Sequence, residues 1–207
     1  MSNIFTEQEK NIITNSVIEP TLRLNTDFIQ PTLRLNTDFR FINQIPVKIK
    51  RLRDNAITPK YEHGDFDNSG MDLYAAAIAF MKDGKFEEYA GGDIAPGETA
   101  IIKTGFAMAI PKGLELQVRP TSGNSLKTKL RIANSPGTVD ASFRGEIGII
   151  VENIGDTNIT IHPGAKVAQG VICPVFHAIL EEADDLDETS RGANGYGSTG
   201  TINKEDK

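Results

Sequence analysis

Residues 134–153 read "NSPGTVDASFRGEIGIIVEN". Turn formers and β-branched residues alternate here without any helical repeat, so the stretch reads as strand, turn, strand. Asp140 follows directly on Val139. In a tight β-hairpin this carboxylate would be held rigidly beside backbone N–H and C=O groups. Such groups can read a flat heterocycle, and the carboxylate can hold and deprotonate a water as a general base. The plain alternative is that Asp140 caps a turn.

Working outward, the same texture runs from Ile45 onward. "IPVKIKRL" (45–52), "ETAIIKTGFAMAIP" (98–111), "LELQVRP" (114–120), "TNITIHPG" (157–164) and "AKVAQGVICPVF" (165–176) are short β-rich runs bounded by Gly, Pro, Asn and Asp. Regular short strands with turn signals predict an all-β sandwich or barrel. One short helix is expected at "TSGNSLKTK" (121–129), with Ser122 as its N-cap. Free N–H groups at such a helix start, with a serine hydroxyl beside them, can seat a phosphate. The alternative is an ordinary helix cap.

Residues 1–44 form an extension of different texture. "PTLRLNTDF" occurs at 20–28 and, unchanged, at 31–39. Leu22, Leu24 and Phe28 alternate with Arg23, Asn25 and Asp27, which is the period of a half-buried strand. Two copies are too few for a solenoid. A local duplication is the simpler reading, and an arm for a neighbouring subunit or partner the sharper one. The expected organisation is this extension, a β-barrel domain over 45–180, and an acidic linker with a glycine-rich arm over 181–207.

Charge and composition exclude several classes. A net charge of −6 argues against a general nucleic-acid binder or a membrane-surface protein. No apolar run approaches the ~20 residues that span a bilayer, and "MSNIFTEQEK" does not read as a signal peptide. Cys173 is the single cysteine, so no internal disulfide is available and a cytoplasmic location, in a bacterium or a virus-infected host, is expected. Its apolar surroundings predict a core residue. His63, His162 and His177 lack ligand spacing and read as surface or strand-end residues, so no metal cage is expected.

Five stretches carry chemistry in order: "SGMDLYAA" (69–76), "RPTSGNS" (119–125), "SPGTVDASFRGE" (135–146), "VAQGVICPV" (167–175) and "RGANGYGSTG" (191–200). Together they resemble the five-motif pattern of the trimeric dUTP pyrophosphatases (dUTPases), over roughly residues 45–201. "IAFMKDGKFEEYAGG" (78–92) lies outside the pattern and reads as a long hairpin insertion. The resemblance implies a distorted jelly-roll or β-barrel of the β-clip type, with a flexible C-terminal arm.

It also implies a reaction and roles for residues. Asp140 would position the water that attacks the α-phosphorus of dUTP, giving dUMP and pyrophosphate. This would limit uracil in DNA and supply dUMP for thymidylate synthesis. Phe143, where the family usually has tyrosine, would pack under the deoxyribose and exclude a 2′-hydroxyl. Asn134 and the backbone of Thr138, Val139 and Gly148 would address the base. Ser122, Gly123 and Gln169 would contact phosphates. In the arm, Arg191 would reach the γ-phosphate, Tyr196 would stack on uracil with Gly197 beside it, and Ser198 and Thr199 would bind phosphate. The arm would act as a lid. Mg²⁺ would be chelated by the triphosphate rather than by the protein. One set of motifs implies a homotrimer with shared sites.

The pattern is not perfect. Thr121 stands where the second motif usually has arginine, which removes a phosphate contact. Arg119, two residues back, is a partial substitute if the strand continues. Asn194 replaces a glycine and Ser142 a common acid. Asp72 reads as structural, supporting the phosphate loop or a subunit interface. The related dCTP deaminases carry a catalytic glutamate at the position that aligns with Ile150. Ile150 cannot activate water, and Glu152 is two residues away, so deamination is the weaker reading. A nucleotide-binding regulatory protein, meeting a protein partner through 1–44 or 78–92, is the main alternative.

Overall fold

The computed structural model describes residues 44–64 and 67–195. The duplicated segment and Tyr196, Gly197, Ser198 and Thr199 lie outside the described residues. The chain divides into two units, 1–42 and 43–207, and every described residue belongs to the second.

The described residues are mostly strand, in order β1 (Lys48–Arg51), β2 (Met71–Tyr74), β3 (Ala77–Lys82), β4 (Lys85–Tyr89), β5 (Gly92–Ile94), β6 (Thr99–Lys103), β7 (Phe106–Ala109), β8 (Leu114–Pro120), helix α1 (Ser122–Lys127), β9 (Leu130–Ile132), β10 (Gly137–Val139), β11 (Gly148–Asn153), β12 (Ile159–Ile161) and β13 (Lys166–Pro174). They form antiparallel sheets in the orders β10-β8-β13-β2 and β4-β3-β6-β11-β9, with the smaller pairs β1-β7 and β12-β5. The all-β expectation holds with its one short helix. No sheet among the described residues closes on itself, so the architecture is open rather than a closed barrel.

Period-two alternation explains the packing. In β11 the odd-numbered Ile149, Val151 and Asn153 are buried while Ile150 and Glu152 are only half-buried. The main core unites Leu73 (β2), Ile78 and Phe80 (β3), Ile102 (β6), Val118 (β8), Val151 (β11) and Ala168 (β13), so side chains from both large sheets share one interior. Each fully buried aliphatic side chain there stabilises by about 1.5–3 kcal/mol. Asn153 is fully buried yet satisfied, its Nδ2 donating to the carbonyls of Ile94 and Thr157 at 2.8 Å each.

The stretch 78–92 does contain a hairpin. Asp83 and Gly84 both have positive φ, 47° and 76°, which is the backbone of a two-residue turn whose twist suits flanking strands. It is not a mere appendage, however. β3 sits inside the five-stranded sheet between β4 and β6, and Ile78, Ala79 and Phe80 are buried.

Candidate active site

The loop bearing Asp140 is anchored from both sides. Val139 and Ala141 pack against a second cluster formed by Met108, Ile110, Leu116 and Ile147. With its two neighbours turned inward, Asp140 is presented to solvent and is exposed. The Phe143 N–H donates to the Asp140 carbonyl at 3.0 Å, closing a turn. Phe143 is 45% exposed and its ring lies over Gly145, where a Cβ would stand only 2.6 Å from its Cζ.

The expected tight hairpin around Asp140 is absent. β10 pairs with β8, whereas β11 pairs with β6 and β9. The segment therefore turns a corner between two sheets. Thr138 and Val139 lie opposite Gln117 and Leu116, and Gly148 lies opposite Lys103 in the other sheet. Gly137 is buried with the Asn134 amide group 3.4 Å from where its Cβ would be, so Asn134 lies against the β10 entrance.

A second group gathers at the far end of the four-stranded sheet. Gln169 on β13 lies opposite both Asp72 on β2 and Arg119 on β8. Gln169 Nε2 donates to the Pro120 carbonyl at 3.0 Å, directly before α1. Asp72 accepts from Lys166 Nζ at 3.1 Å. Asn124 Nδ2 donates to the carbonyls of Lys166 and Val167 at 3.0 Å each, tying α1 to the start of β13. The helix N-cap is Thr121, not Ser122: Thr121 has extended backbone and its Oγ1 accepts from Asn124 N at 3.4 Å. Ser122 thereby becomes the first helical residue, with its N–H and hydroxyl uncommitted to capping. Gly123 has open space around it.

β8 does continue through Pro120, as the Arg119 substitution required. Its guanidinium, however, donates to Gln117 Oε1 at 2.6 and 3.0 Å and to Cys173 Sγ at 3.3 Å. Cys173 is thus not a core residue. It is half-buried on the polar face that Gln169 and Arg119 share, because residue 173 has the parity of Gln169 along β13. His63, His162 and His177 are exposed, as expected. Arg191 is exposed, with Nε on the Asn194 carbonyl at 2.9 Å.

These two groups lie apart within one chain. Val139 stands opposite Leu116, four residues along β8 from Pro120. At about 3.4 Å per residue that is ~14 Å, and Asp140 continues away from α1. Among the described residues no three His, Cys, Asp or Glu side chains cluster to hold a metal.

One further constellation draws only Glu146 from the sequence motifs. Arg53 meets Glu146 through Nε at 2.6 Å and Nη2 at 2.8 Å, and it also pairs with Glu88 on β4. Glu146 Oε1 further accepts from the Gly105 N–H at 2.8 Å, and Lys103 Nζ is 3.5 Å from Oε2. Burial opposes ionisation of Glu146, but Arg53, the Gly105 N–H and Lys103 outweigh it and hold its carboxyl below the usual range. No local spacing signals this clamp, since its partners come from four separate stretches.

The family model described as dUTPase matches residues 92–200. The deoxyuridine 5'-triphosphate nucleotidohydrolase of Picosynechococcus sp. is 47% identical over 156 residues, covering 75% of this chain and 99% of that protein. That of Maricaulis maris is 44% identical over 162 residues, covering 77% and 99%. A solved mutant of the Staphylococcus bacteriophage 80alpha dUTPase with dUpNHpp has a TM-score of 0.64 at 25% identity, covering 76% of this chain and 100% of that one. With the profile and near-complete relatives in agreement, the chain belongs to the dUTPase family.

Proposed function

We propose that this dUTPase hydrolyses dUTP to dUMP and pyrophosphate. Family membership and relatives bearing that activity in their names support the reaction. The observation that carries the mechanism is the split arrangement: an exposed Asp140 just past Val139, and an open helix start at Ser122–Gly123 just past Pro120, where Pro120 and the β8 partner of Val139 are ~14 Å apart along the strand. That separation supports a site shared between copies, as in a homotrimer, with one copy bringing the helix start and another Asp140.

In this reading Asp140 accepts a proton from a water while the water oxygen bonds to the α-phosphorus. The bond from that phosphorus to the oxygen bridging to the β-phosphate breaks, and pyrophosphate leaves with the electron pair. Ser122, Gly123 and Gln169 hold phosphate oxygens. Phe143 packs against the deoxyribose, and Asn134 with the Thr138, Val139 and Gly148 backbone orients the base. Arg191, Tyr196, Gly197, Ser198 and Thr199 close over the nucleotide. Asp72 supports Gln169 from the neighbouring strand. With threonine at 121, the helix start offers dipoles and hydroxyls but little positive charge. Mg²⁺ chelated by the triphosphate would supply the missing charge neutralisation and needs no protein cage. No helix among the described residues is long and apolar enough to cross a membrane, and we place the protein in the cytoplasm.

A regulatory reading has one observation of its own. Met81 and Phe86 face each other across the β3–β4 hairpin and are 56% and 57% exposed, which suits a protein partner. Residues 1–44, the other surface considered for this role, lie largely outside the described residues. Pyrophosphate release from dUTP with Mg²⁺, beside dCTP, dTTP and UTP, separates the readings. Release from dUTP alone, lost in Asp140→Asn, is expected; tight binding without release would favour the regulatory protein, and ammonia release from dCTP the deaminase.

A further inference from the structure

The stretch from α1 into β9 exposes its cations by the same period-two rule that buries the core. Lys127 ends α1, the helix cap Thr128 has extended backbone, and β9 begins at Leu130. Leu130 and Ile132 turn inward and are buried, which leaves Lys129 and Arg131 on the opposite side. Together with Lys127 they line a cleft of about 360 Å³ at the C-terminal end of the helix.

Hydrogen bonds fix the walls of this cleft. Asn153, fully buried, donates from Nδ2 to the Thr157 carbonyl at 2.8 Å and accepts at Oδ1 from the Gly155 N–H at 2.9 Å. The Lys129 stem lies over Gly155, where a Cβ would stand 2.9 Å from the Lys129 Cβ, and the Ile154 N–H donates to the Lys129 carbonyl at 3.1 Å. Arg131 is pinned through Nη1 to the Thr128 and Leu130 carbonyls at 3.0 and 2.8 Å. Those bonds occupy one nitrogen and leave Nε and Nη2 of a fixed guanidinium without an acceptor among the described residues. No carboxylate pairs with the three cations. Lys127, Lys129 and Arg131 are in no ion pair among the described residues, and neither is Glu152, which stands opposite Arg131 on β11. A favourable place at a helix C-terminus accounts for Lys127 alone. It does not account for two more cations around the same hollow in a chain of net charge −6. Like charges gathered in a cleft repel one another, and a bound anion relieves the repulsion.

We propose that this cleft binds a small phosphate-bearing molecule with two or more negative charges, its phosphates on Lys127, Lys129 and the free edge of Arg131 and its organic part against Leu126 and Ile159. A guanidinium fork beside two ammonium groups matches tetrahedral oxyanions, which accept hydrogen bonds from several directions at once. The volume falls at the lower end of the ~300–1,000 Å³ of small-ligand sites, which is more than a bare phosphate fills. Leu126 is 85% exposed, and with Ile159 it gives the cleft an apolar flank that an inorganic anion does not use. The site is separate from the one assigned to substrate phosphates. That helix start lies at the other end of α1, six residues or ~9 Å away.

The test is calorimetric titration of the full chain with ATP and with inorganic triphosphate at low salt. It is run in the parent protein and in Ser122→Asp, where a carboxylate turns phosphate away from the helix start while suiting the first helical turn. One bound ATP per chain is expected in Ser122→Asp. Adding Lys127→Gln/Lys129→Gln/Arg131→Gln should abolish it. Arg131 also ties down two carbonyls, so Lys127→Gln/Lys129→Gln, which leaves that tie intact, is the second variant. It should weaken binding about 10–100-fold, with the ligand-free melting temperature unchanged. Binding in the parent that disappears in Ser122→Asp would give the phosphates to the helix start and overturn the proposal. Binding that survives the triple substitution, or no binding in either protein, would overturn it as well. Tighter binding of ATP than of triphosphate would support the organic part against Leu126 and Ile159; equal affinities would strike that placement and leave an inorganic polyphosphate as the ligand. Neither titration reads turnover, so the outcome is independent of the enzymatic reading.

Discussion

Phe143 holds its ring over Gly145, and the space for that ring exists because residue 145 has no Cβ. If the ring is what denies room to a 2′-hydroxyl, Phe143→Ala should lower the preference for dUTP over UTP in kcat/KM by about 10–100-fold. Gly145→Ala should move the same quantity in the same direction by less, because the ring can swing aside, and thermal melts should show little loss of stability. A Gly145→Ala protein with unchanged UTP rejection would detach the ring from that role. Thr121 is a second single-residue case. It caps α1, so Thr121→Arg should cost about 1 kcal/mol of stability. It should nevertheless lower the KM for dUTP by adding a phosphate contact, and an unchanged KM would count against placing phosphate at this helix start. At this scale the sequence is informative wherever one side chain decides its own environment. Asp140, between two inward-facing apolar neighbours, is such a case. Cys173 is the opposite case: the apolar run around it hides its parity, which puts it beside Arg119 and Gln117 rather than in the core.

Between elements, the Arg53–Glu146 clamp ties the segment before β2, the β4 edge and the end of the Asp140 loop together. Glu146 is ionised more readily in the fold than in the unfolded chain. Its contribution is therefore present above the unfolded carboxyl's range and is lost as pH falls through the lower folded value. Glu146→Gln should lose about 1–2 kcal/mol in urea unfolding at pH 7, and that gap should narrow as pH is lowered below the unfolded carboxyl's range. A deficit that stays the same as pH falls would mean that the charge is not what holds the loop. Strand existence is legible because alternation is local. Strand partnership is not: "GTV" and "GIIVEN" flank a turn and look like a hairpin, yet β10 and β11 belong to different sheets. Pairing is decided by which core each face joins, Met108 and Leu116 for the loop and Ile102 for β11, and those partners are distant in sequence.

For the molecule as a whole, the order of the five motifs picks out candidate residues but does not record that one chain keeps them apart. Asp72, Gln169, Pro120 and Ser122 converge at one end of the four-stranded sheet, and Val139, directly before Asp140, pairs ~14 Å away along β8. Distance across a sheet depends on strand register, which no motif records. The most direct measurement mixes two inactive proteins, Asp140→Asn and Ser122→Asp, after joint refolding. If Asp140 and the helix start reach each site from different copies, an equal mixture should recover about a quarter of wild-type dUTP turnover, since each site draws the two parts independently. No recovery, with mixed oligomers demonstrably formed, would mean that one chain supplies both parts and would contradict the shared site.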